Sequence, residues 1–361
     1  MGLSGFGWIA DVTWKATEVD ADLTDAVGAI DFSRLGDDFW LNVQSDGGDV
    51  RMTKSDETSE VAIEIADGFN TTSKIGWGFF SIDGTLSSTV DTTFKLQWDN
   101  AGASLYAEDA TFGREAIWDA NHVLVWHLAE DPGGTAPQML DSTSLDHDGT
   151  SVGTMTSADL FDSRVGKGMD LDATDDAITH ADHADWTFTG DFTIEVSYEP
   201  DQGSVTQYIL WNLNFGTNQG YSLYRFSDNK IYFDYRDGDA GTHSLGSTAS
   251  HTTGDTYVSA TRTGSTQAIR TNGAADGSAG GAGSSTINPD MTLYVGGRAG
   301  VSFMNGQISE VRLSKVARAD AWLDWNHSVM YTNSTAAVLG TPVTQGAGPP
   351  AGGLALLGVG V

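Results

Sequence analysis

The chain of 361 residues is long enough for two domains of ordinary size, and its 11 Trp, 10 Tyr and 15 Phe supply large side chains for their cores. With 49 Asp and Glu against 18 Lys and Arg, the net charge of -31 argues against nucleic acid as a partner, since such binding depends on neutralising phosphates. A surface this acidic repels itself in dilute buffer and is screened by salt, so we predict a protein from a salt-loving organism. An acidic, calcium-binding surface protein from ordinary seawater is the alternative.

The sequence contains no cysteine, so disulfides and thiol chemistry play no part. Residues 1–22 lack the basic start and apolar run of a signal peptide, and no segment approaches the roughly 18 apolar residues of a membrane span. We therefore predict no membrane insertion. The apolar segment 352–361 is expected to pack on a neighbouring subunit or to fray.

Short β-branched and aromatic runs alternate with clusters of Gly, Asp, Asn and Ser, which predicts an all-β protein with antiparallel sheets. The first series of predicted strands includes "FWLNVQ", "VAIEIA", "IGWGFFSI" and "TTFKLQW". After a break near residue 115, "HVLVWHL" opens a second series that ends with "GQISEVRLS". A helix is predicted only at residues 319–331, and the Gly-rich segment 272–285 is predicted to be a flexible hairpin loop.

These elements predict two antiparallel β-sandwich domains, at residues 1–118 and 119–330, followed by a Gly/Pro/Ala-rich tail at 331–361. A single continuous barrel is the alternative architecture, and the break near residue 115 argues against it.

The second series resembles a LamG-like domain of the concanavalin A-like lectin/glucanase group, over roughly residues 122–318. The similarity is carried, in the family's order, by "VWHLAEDPGG", "DSTSLDHDGT", "GKGMDLDATDDAITH", "FTIEVSYEP", "TYVSATRTGSTQAIRTNGA" and "LYVGGRAGVSFMNGQISEVRLSKVAR". The resemblance implies a two-sheet jelly roll with a concave face that often binds carbohydrate. The first series resembles an uncharacterised β-domain that commonly precedes such domains in prokaryotic and viral surface proteins, through "FWLNVQSDGGDVRMTKSDETSEVAIEI" and "IGWGFFSIDGTLSSTVDTTFKLQWDNAGA".

Glu195 and Glu199 lie four residues apart on one predicted strand, so they share a face. Glucanases of this broad fold place Glu, Asp and Glu at alternating positions of one strand, and here Ser197 stands in the middle. The strand rise separates the two glutamates by roughly 13 Å, whereas retaining hydrolysis requires carboxyl groups about 5 Å apart. We predict that the chain is not an enzyme and that the pair faces solvent or a partner, with a glycoside hydrolase or lyase as the alternative.

A structural calcium ion is predicted at the acidic turn "MDLDATDDA", because Ca²⁺ prefers carboxylate and carbonyl oxygens. Members of the resembled group often hold calcium between such a turn and an acid on the last strand. Ser309 stands where that acid is common, so Asp172 and Glu310 are the predicted ligands. The competing interpretation is that any loop of so acidic a chain resembles a calcium site.

The histidines predict no metal site. His180 and His183 are three residues apart, a spacing that suits a helix face more than a strand, and zinc would require further ligands nearby. His127 stands where the resembled family usually has a His in a core strand, and we expect it to be structural.

Carbohydrate binding by sandwiches relies on exposed aromatic side chains beside polar groups. Alternation along the strands allows at most half of the aromatic residues of the second series to line one surface. Trp211, Tyr224 and Tyr235 are the predicted ligand-binding residues.

Lectin-like sandwiches usually act outside cells, yet this sequence shows neither a signal peptide nor a membrane span. Virion proteins are made in the host cytoplasm, where a cysteine-free chain folds without disulfides. We therefore predict a virion surface protein, a capsid decoration or turret subunit or a tail-associated protein, which forms homo-oligomers, contacts other virion proteins and binds host-surface glycans. A cellular surface adhesin and a purely structural subunit are the alternatives.

Overall fold

The computed structural model describes residues 2–201, 203–238, 242–280, 283, 285–298 and 300–345. The predicted apolar segment 352–361 lies outside these residues. None of the helices among them is long and apolar enough to cross a membrane.

The first part of the chain forms nine strands and one short helix, α1 (Asp37–Trp40). The strands are β1 (Trp8–Trp14), β2 (Leu23–Thr24), β3 (Val27–Asp31), β4 (Arg51–Lys54), β5 (Glu60–Val61), β6 (Ile63–Ile65), β7 (Trp77–Ser81), β8 (Thr85–Leu86) and β9 (Thr92–Trp98).

The second part contributes fifteen strands. They are β10 (His122–Trp126), β11 (Thr150–Val152), β12 (Leu160–Asp162), β13 (Lys167–Asp172), β14 (Ala177–His180), β15 (Phe192–Pro200), β16 (Gln207–Asn214), β17 (Gln219–Arg225), β18 (Ile231–Asp237), β19 (Thr242–Gly246), β20 (Thr256–Thr263), β21 (Thr266–Thr271), β22 (Ala274–Ala279), β23 (Leu293–Val295) and β24 (Asn305–Ser314). Strand β22 lies within the segment 272–285, so the prediction of a loop there was wrong for these six residues.

Two large antiparallel sheets make up the second domain. The eight-stranded sheet has the order β12-β13-β24-β15-β20-β21-β22, with β10 also paired to β24, and the seven-stranded sheet has the order β11-β14-β23-β16-β17-β18-β19. Their inner faces enclose one apolar core, in which Trp126, Phe192, Ile194, Phe233 and Val311 are buried. The predicted all-β fold is confirmed, because antiparallel sheets dominate both parts of the chain.

The chain returns to the first domain after β24. Helix α2 (Asp320–Tyr331) agrees with the predicted helix, and it is followed by α3 (Asn333–Ala336), β25 (Ala337–Leu339) and β26 (Val343–Thr344). Both of these last strands pair with β1, at the edge of the sheet β25-β1-β9-β4-β5. Two short segments of the predicted tail, β25 and β26, are therefore paired in a sheet.

Helix α2 packs in the core of the first domain, although the predicted boundary at residue 330 had assigned it to the second. Its Trp325 meets Trp14 edge to face at 5.8 Å and donates a hydrogen bond to the Val27 carbonyl at 2.8 Å. On its other side, Asn326 Nδ2 donates to Glu195 of β15 at 2.8 Å. The helix thus lies between the first domain and the outer face of the eight-stranded sheet, and covers part of that face.

Candidate functional site

The outer face of the seven-stranded sheet is rich in aromatic side chains. In β18 the alternation of "IYFDYRD" buries Ile231 and Phe233 in the core and turns Tyr232 and Asp234 outward. The cross-strand partners of these outward residues on β17 are Tyr224 and Ser222. We call the following residues the aromatic face: Tyr208, Trp211, Phe215, Tyr224, Phe226 and Tyr232.

The rings of the aromatic face form a continuous set of contacts. Tyr208 lies between Trp211 and Tyr224, with centroid distances of 4.8 and 5.2 Å, and Tyr224 stacks on Tyr232 at 5.5 Å. Two phenylalanines flank this row: Phe215 is 51% exposed and Phe226 is 43% exposed. Exposed aromatic surface of this kind, next to polar groups, is typical of a binding surface on a soluble protein.

Polar groups accompany the rings. Asp234 accepts hydrogen bonds from the Tyr224 hydroxyl at 3.1 Å and from Ser244 Oγ at 2.6 Å. Burial raises the pKa of Asp234 above its ordinary value. Trp211 Nε1 and Ser222 Oγ, which belong to directly opposed residues of neighbouring strands, are buried and have no hydrogen-bond partner in the described part of the chain. The surface therefore combines stacking area with the Asp234 carboxylate, which is only partly buried.

The structure places the three predicted ligand-binding residues in different environments. Tyr224 lies on the aromatic face as predicted. Trp211 also belongs to it but is only 3% exposed, because the Arg298 guanidinium lies 4.7 Å from its ring centroid and Phe215 packs beside it. Tyr235 points into the core and has no exposed surface, so its selection was wrong. Tyr232, its neighbour on the same strand, occupies the outer position.

A cluster of carboxylates lies in the turn between β13 and β14. Oxygen atoms of Asp172, Asp175 and Asp176 all lie within 4.8 Å of one another. Asp176 is buried, and its Oδ1 atom has no hydrogen-bond partner among the described residues. Burial and the neighbouring Asp172 carboxylate raise the pKa of Asp176 to about 6. Three convergent hard oxygen ligands, one of them unsatisfied, fit the requirements of Ca²⁺.

Glu310 does not belong to this cluster. Asp172 pairs with Asn305 on β24, and Glu310 lies five residues further along that strand, roughly 17 Å away by strand rise. Its carboxylate lies 2.6 Å from His127 Nδ1 and accepts a hydrogen bond from Arg312 Nε at 3.2 Å. Glu310 is therefore engaged in a buried ion-pair network, and its prediction as a calcium ligand was wrong.

His127 is the centre of that network and connects the two domains. Its Nε2 atom lies 3.3 Å from Glu64 of β6, and its ring stacks on Phe79 at 4.2 Å. Burial alone would lower the pKa of His127, but the carboxylates of Glu310 and Glu64 outweigh it and raise the pKa to about 10. A positively charged imidazole between two carboxylates joins the domains, so the expected structural role of His127 agrees with its position.

Comparison with known proteins identifies the second domain. Residues 172–323 match the family model described as the concanavalin A-like lectin/glucanases superfamily. The chain carries a concanavalin A-like domain. A comparison with curated protein sequences gives no match.

Solved structures with a similar fold include several toxin binding domains. The binding domain of Paraclostridial Mosquitocidal Protein 1 has a TM-score of 0.46 at 11% identity, covering 58% of this chain and 52% of that one. The binding domain of Botulinum Neurotoxin DC, solved in complex with SialylT, has a TM-score of 0.44 at 11% identity, covering 59% and 52%. The Botulinum Neurotoxin serotype G binding domain has a TM-score of 0.45 at 14% identity, covering 58% and 51%. The matched region thus spans about half the length of these chains.

The predicted carboxylate pair occupies two different environments in the concanavalin A-like domain. Glu195 is buried beneath helix α2 and accepts hydrogen bonds from the Tyr257 hydroxyl and from Asn326. Glu199 lines a separate cleft that also contains Arg164 and Asp255. The expectation was that both glutamates face solvent or a partner. Glu195 does not face solvent, because helix α2 of the same chain covers this part of the sheet.

A second cavity, of about 240 Å³, lies between the domains beside His127. Its wall includes Glu64, Asp67 and Glu130, and burial raises the pKa of Glu130 to about 7. Both Glu130 oxygens accept backbone hydrogen bonds, from Leu140 at 2.9 Å and Ala129 at 3.0 Å. Sequence patterns gave no indication of this cavity, because its acids come from loops and strands of two domains.

Proposed function

We propose that the protein is a non-enzymatic binding protein whose concanavalin A-like domain binds surface glycans through the aromatic face. The observation that supports this most directly is the exposure of Phe215 and Phe226 at either side of a row of tyrosines. Sugar rings present apolar C–H faces that pack on aromatic rings, while their hydroxyls need hydrogen-bond partners. Asp234, which is partly exposed among the rings, would supply such a partner.

A hydrolase is a weaker candidate for the same fold. At the strand positions where glucanases carry their catalytic acids, Glu195 is sealed under helix α2 and bonded to Tyr257 and Asn326. A substrate would have to displace the helix to reach this carboxylate. This arrangement supports a binding role for the domain.

The proposal is tested by glycan-array binding of the wild-type protein and of Phe226→Ala and Tyr232→Ala. We expect binding to weaken by roughly 5- to 150-fold in both variants, taking on the order of 1–3 kcal/mol for the loss of one stacked aromatic ring. Leu41→Ala is the matched control, since Leu41 is 78% exposed on the first domain. Glycan binding that survives both aromatic substitutions would overturn the proposal. If the wild type binds no glycan but binds a protein that carries no glycans, the aromatic face would be assigned to a protein partner instead.

We propose that the protein acts on a virion surface. There it would be a capsid decoration, a turret subunit or a tail-associated protein that assembles with its own copies and with other virion proteins. The support is the sequence itself: an acidic, cysteine-free chain that carries a lectin-like fold. Mass spectrometry of purified particles tests this. Recovery of the protein from the cell envelope instead of from particles would favour a cellular adhesin.

We also propose that Asp172, Asp175 and Asp176 hold a structural Ca²⁺. The unsatisfied Oδ1 of Asp176 supports this, since a bound cation would compensate a buried carboxylate oxygen that lacks a hydrogen bond. Glu310 has no part in this site.

A further inference from the structure

Three histidines from two separate loops meet around one tryptophan at the end of strand β14. His147 follows β10 by twenty-one residues in sequence, whereas His180 and His183 lie at and just after the end of β14. The ring of His147 lies 5.0 Å from that of His180 and 4.4 Å from that of His183. The indole of Trp186 packs against His147 at 4.8 Å and against His180 at 5.2 Å. The fold thus supplies the further ligand that the spacing of His180 and His183 alone did not predict.

A carboxylate completes this cluster. Asp185 Oδ2 lies 2.8 Å from His147 Nε2 and 3.1 Å from His183 Nδ1. The three potential ligand atoms all lie within 4.8 Å of one another. Atoms bound to tetrahedral zinc at about 2.0–2.1 Å are separated by roughly 3.3 Å. The three side chains therefore need only small displacements to surround a metal ion of this size.

His183 Nδ1 faces two groups of Asp185. The backbone N–H of Asp185 donates to the single lone pair of this nitrogen at 3.2 Å, so a bound metal ion would replace that hydrogen bond. The same nitrogen lies against the Asp185 carboxylate oxygen, which is also an acceptor. Contact between two acceptors is unfavourable unless a proton or a metal ion lies between them. Because His147 Nε2 approaches the same oxygen, one cation would satisfy all three atoms together.

His180 lies beside the three ligand atoms but does not belong to the group within 4.8 Å of one another. Its Nδ1 lies 2.7 Å from the Ala181 carbonyl oxygen, so Nδ1–H donates there and Nε2 carries the lone pair. Metal-binding histidines commonly fix their tautomer in this way, through a carbonyl that accepts from the other ring nitrogen.

We propose that His147, His183 and Asp185 form a binding site for Zn²⁺ or a similar divalent transition metal. Two imidazoles with one carboxylate suit zinc better than calcium, which prefers oxygen ligands alone. The site is separate from the Asp172 cluster, which lies at the opposite end of β14. Its metal would join the loop that carries His147 to the turn that leads into β15.

The test uses the full chain without a polyhistidine tag, freed of metal and titrated with Zn²⁺ by calorimetry and with Co²⁺ by visible absorption. We expect one Zn²⁺ per chain and the intense absorption of tetrahedral Co²⁺. His183→Asn should weaken Zn²⁺ binding by more than about tenfold. Asn retains a side-chain acceptor for the Asp185 N–H, so the local turn keeps its cap. His183 is also nearly half exposed, so this substitution should leave folding intact.

Asp176→Asn is the matched control, because it alters the other acidic cluster and should leave Zn²⁺ binding unchanged. The proposal is overturned if the wild-type chain binds no Zn²⁺ at about 100 µM, a concentration well above a micromolar Kd. It is also overturned if His183→Asn binds Zn²⁺ as tightly as the wild type, or if Asp176→Asn abolishes the binding that His183→Asn leaves intact.

Discussion

The two outer faces of the concanavalin A-like domain have opposite chemistry and opposite surroundings. The eight-stranded sheet directs charged groups outward, including Glu195, Glu310 and Arg312, and these are buried under helix α2 and the first domain. The seven-stranded sheet directs tyrosines and phenylalanines outward, and part of this surface is exposed. Polarity along a strand therefore does not determine which face meets water. What determines it here is the element that packs on the sheet.

The largest expected difference between the faces concerns aromatic side chains. Trp325→Ala removes a fully buried indole from the layer that covers the eight-stranded sheet, and we expect it to lower the free energy of unfolding by about 3–5 kcal/mol. Phe226→Ala removes an exposed ring from the other face and should change the free energy of unfolding by less than about 0.5 kcal/mol. Urea denaturation followed by circular dichroism measures both. Similar losses in the two variants would show that the aromatic face is also a packing surface.

Two arginines, one on each outer face of the domain, allow the same comparison for charged side chains. Arg312→Met leaves Glu310 and Glu195 buried with less compensation, and we expect a loss of about 3 kcal/mol in the free energy of unfolding. Arg298→Met on the aromatic face removes a cation–π contact with Trp211 and should cost at most about 1 kcal/mol. Urea denaturation measures the free energy of unfolding of both variants. Equal costs would mean that Arg312 is no more important to its face than Arg298 is to the other.

The pH dependence of stability tests the Asp172 cluster, which lies away from both faces. The pKa of Asp176 is about 6 in the folded chain, above its ordinary value of 3.8. A raised carboxyl pKa means that the contribution of Asp176 to stability is complete below pH 4 and is lost as pH rises through 6. In chelator at pH 7, Asp176→Asn should therefore be more stable than the wild type.

Bound Ca²⁺ should make the wild type more stable than Asp176→Asn. A ligand that binds only the folded chain stabilises it, so Ca²⁺ should raise the Tm of the wild type. It should do the same for the control Asp109→Asn, which changes an exposed carboxylate of the first domain. Asp176→Asn and Asp172→Ala should not respond. If Asp172→Ala melts as the wild type does both with and without Ca²⁺, the calcium proposal fails.

The smallest effect per side chain is expected from salt. Exposed carboxylates each contribute little, but their summed repulsion at a net charge of -31 should be relieved by molar KCl, which raises the Tm of the wild type. Buried pairs are screened much less, so the stability difference between the wild type and Arg312→Met should be the same in dilute and molar KCl. A Tm that does not change with salt would remove the basis for a halophilic origin.

Sequence reasoning predicted the fold well because strand alternation is a local property. It identified the all-β architecture, the helix at 319–331 and the concanavalin A-like segment. It selected Tyr235 in place of Tyr232 because alternation gives two faces without telling which one points to the core. That choice depends on the other sheet, whose residues lie far away in sequence.

The errors at the candidate sites have the same origin. Glu310 looked available because its partner His127, 183 residues earlier in the chain, is brought to it only by sheet pairing. The histidine cluster was missed because His147 is 36 residues before His183 and reaches it through a loop. Contacts between distant segments carry no periodic signal, so spacing within one motif cannot reveal them.

The pairing of β1 with β25 has a consequence for synthesis on the ribosome. Trp14 is the cross-strand partner of Ala337, more than 300 residues further along the chain. At about 5–20 residues per second, the N-terminal strand waits roughly 15–60 s for this neighbour and for helix α2. Limited proteolysis of ribosome-bound chains should find the concanavalin A-like domain protected before the first domain. The first domain is thus translated before the concanavalin A-like domain but completes its fold after it, and until then its indole rings are accessible to chaperones.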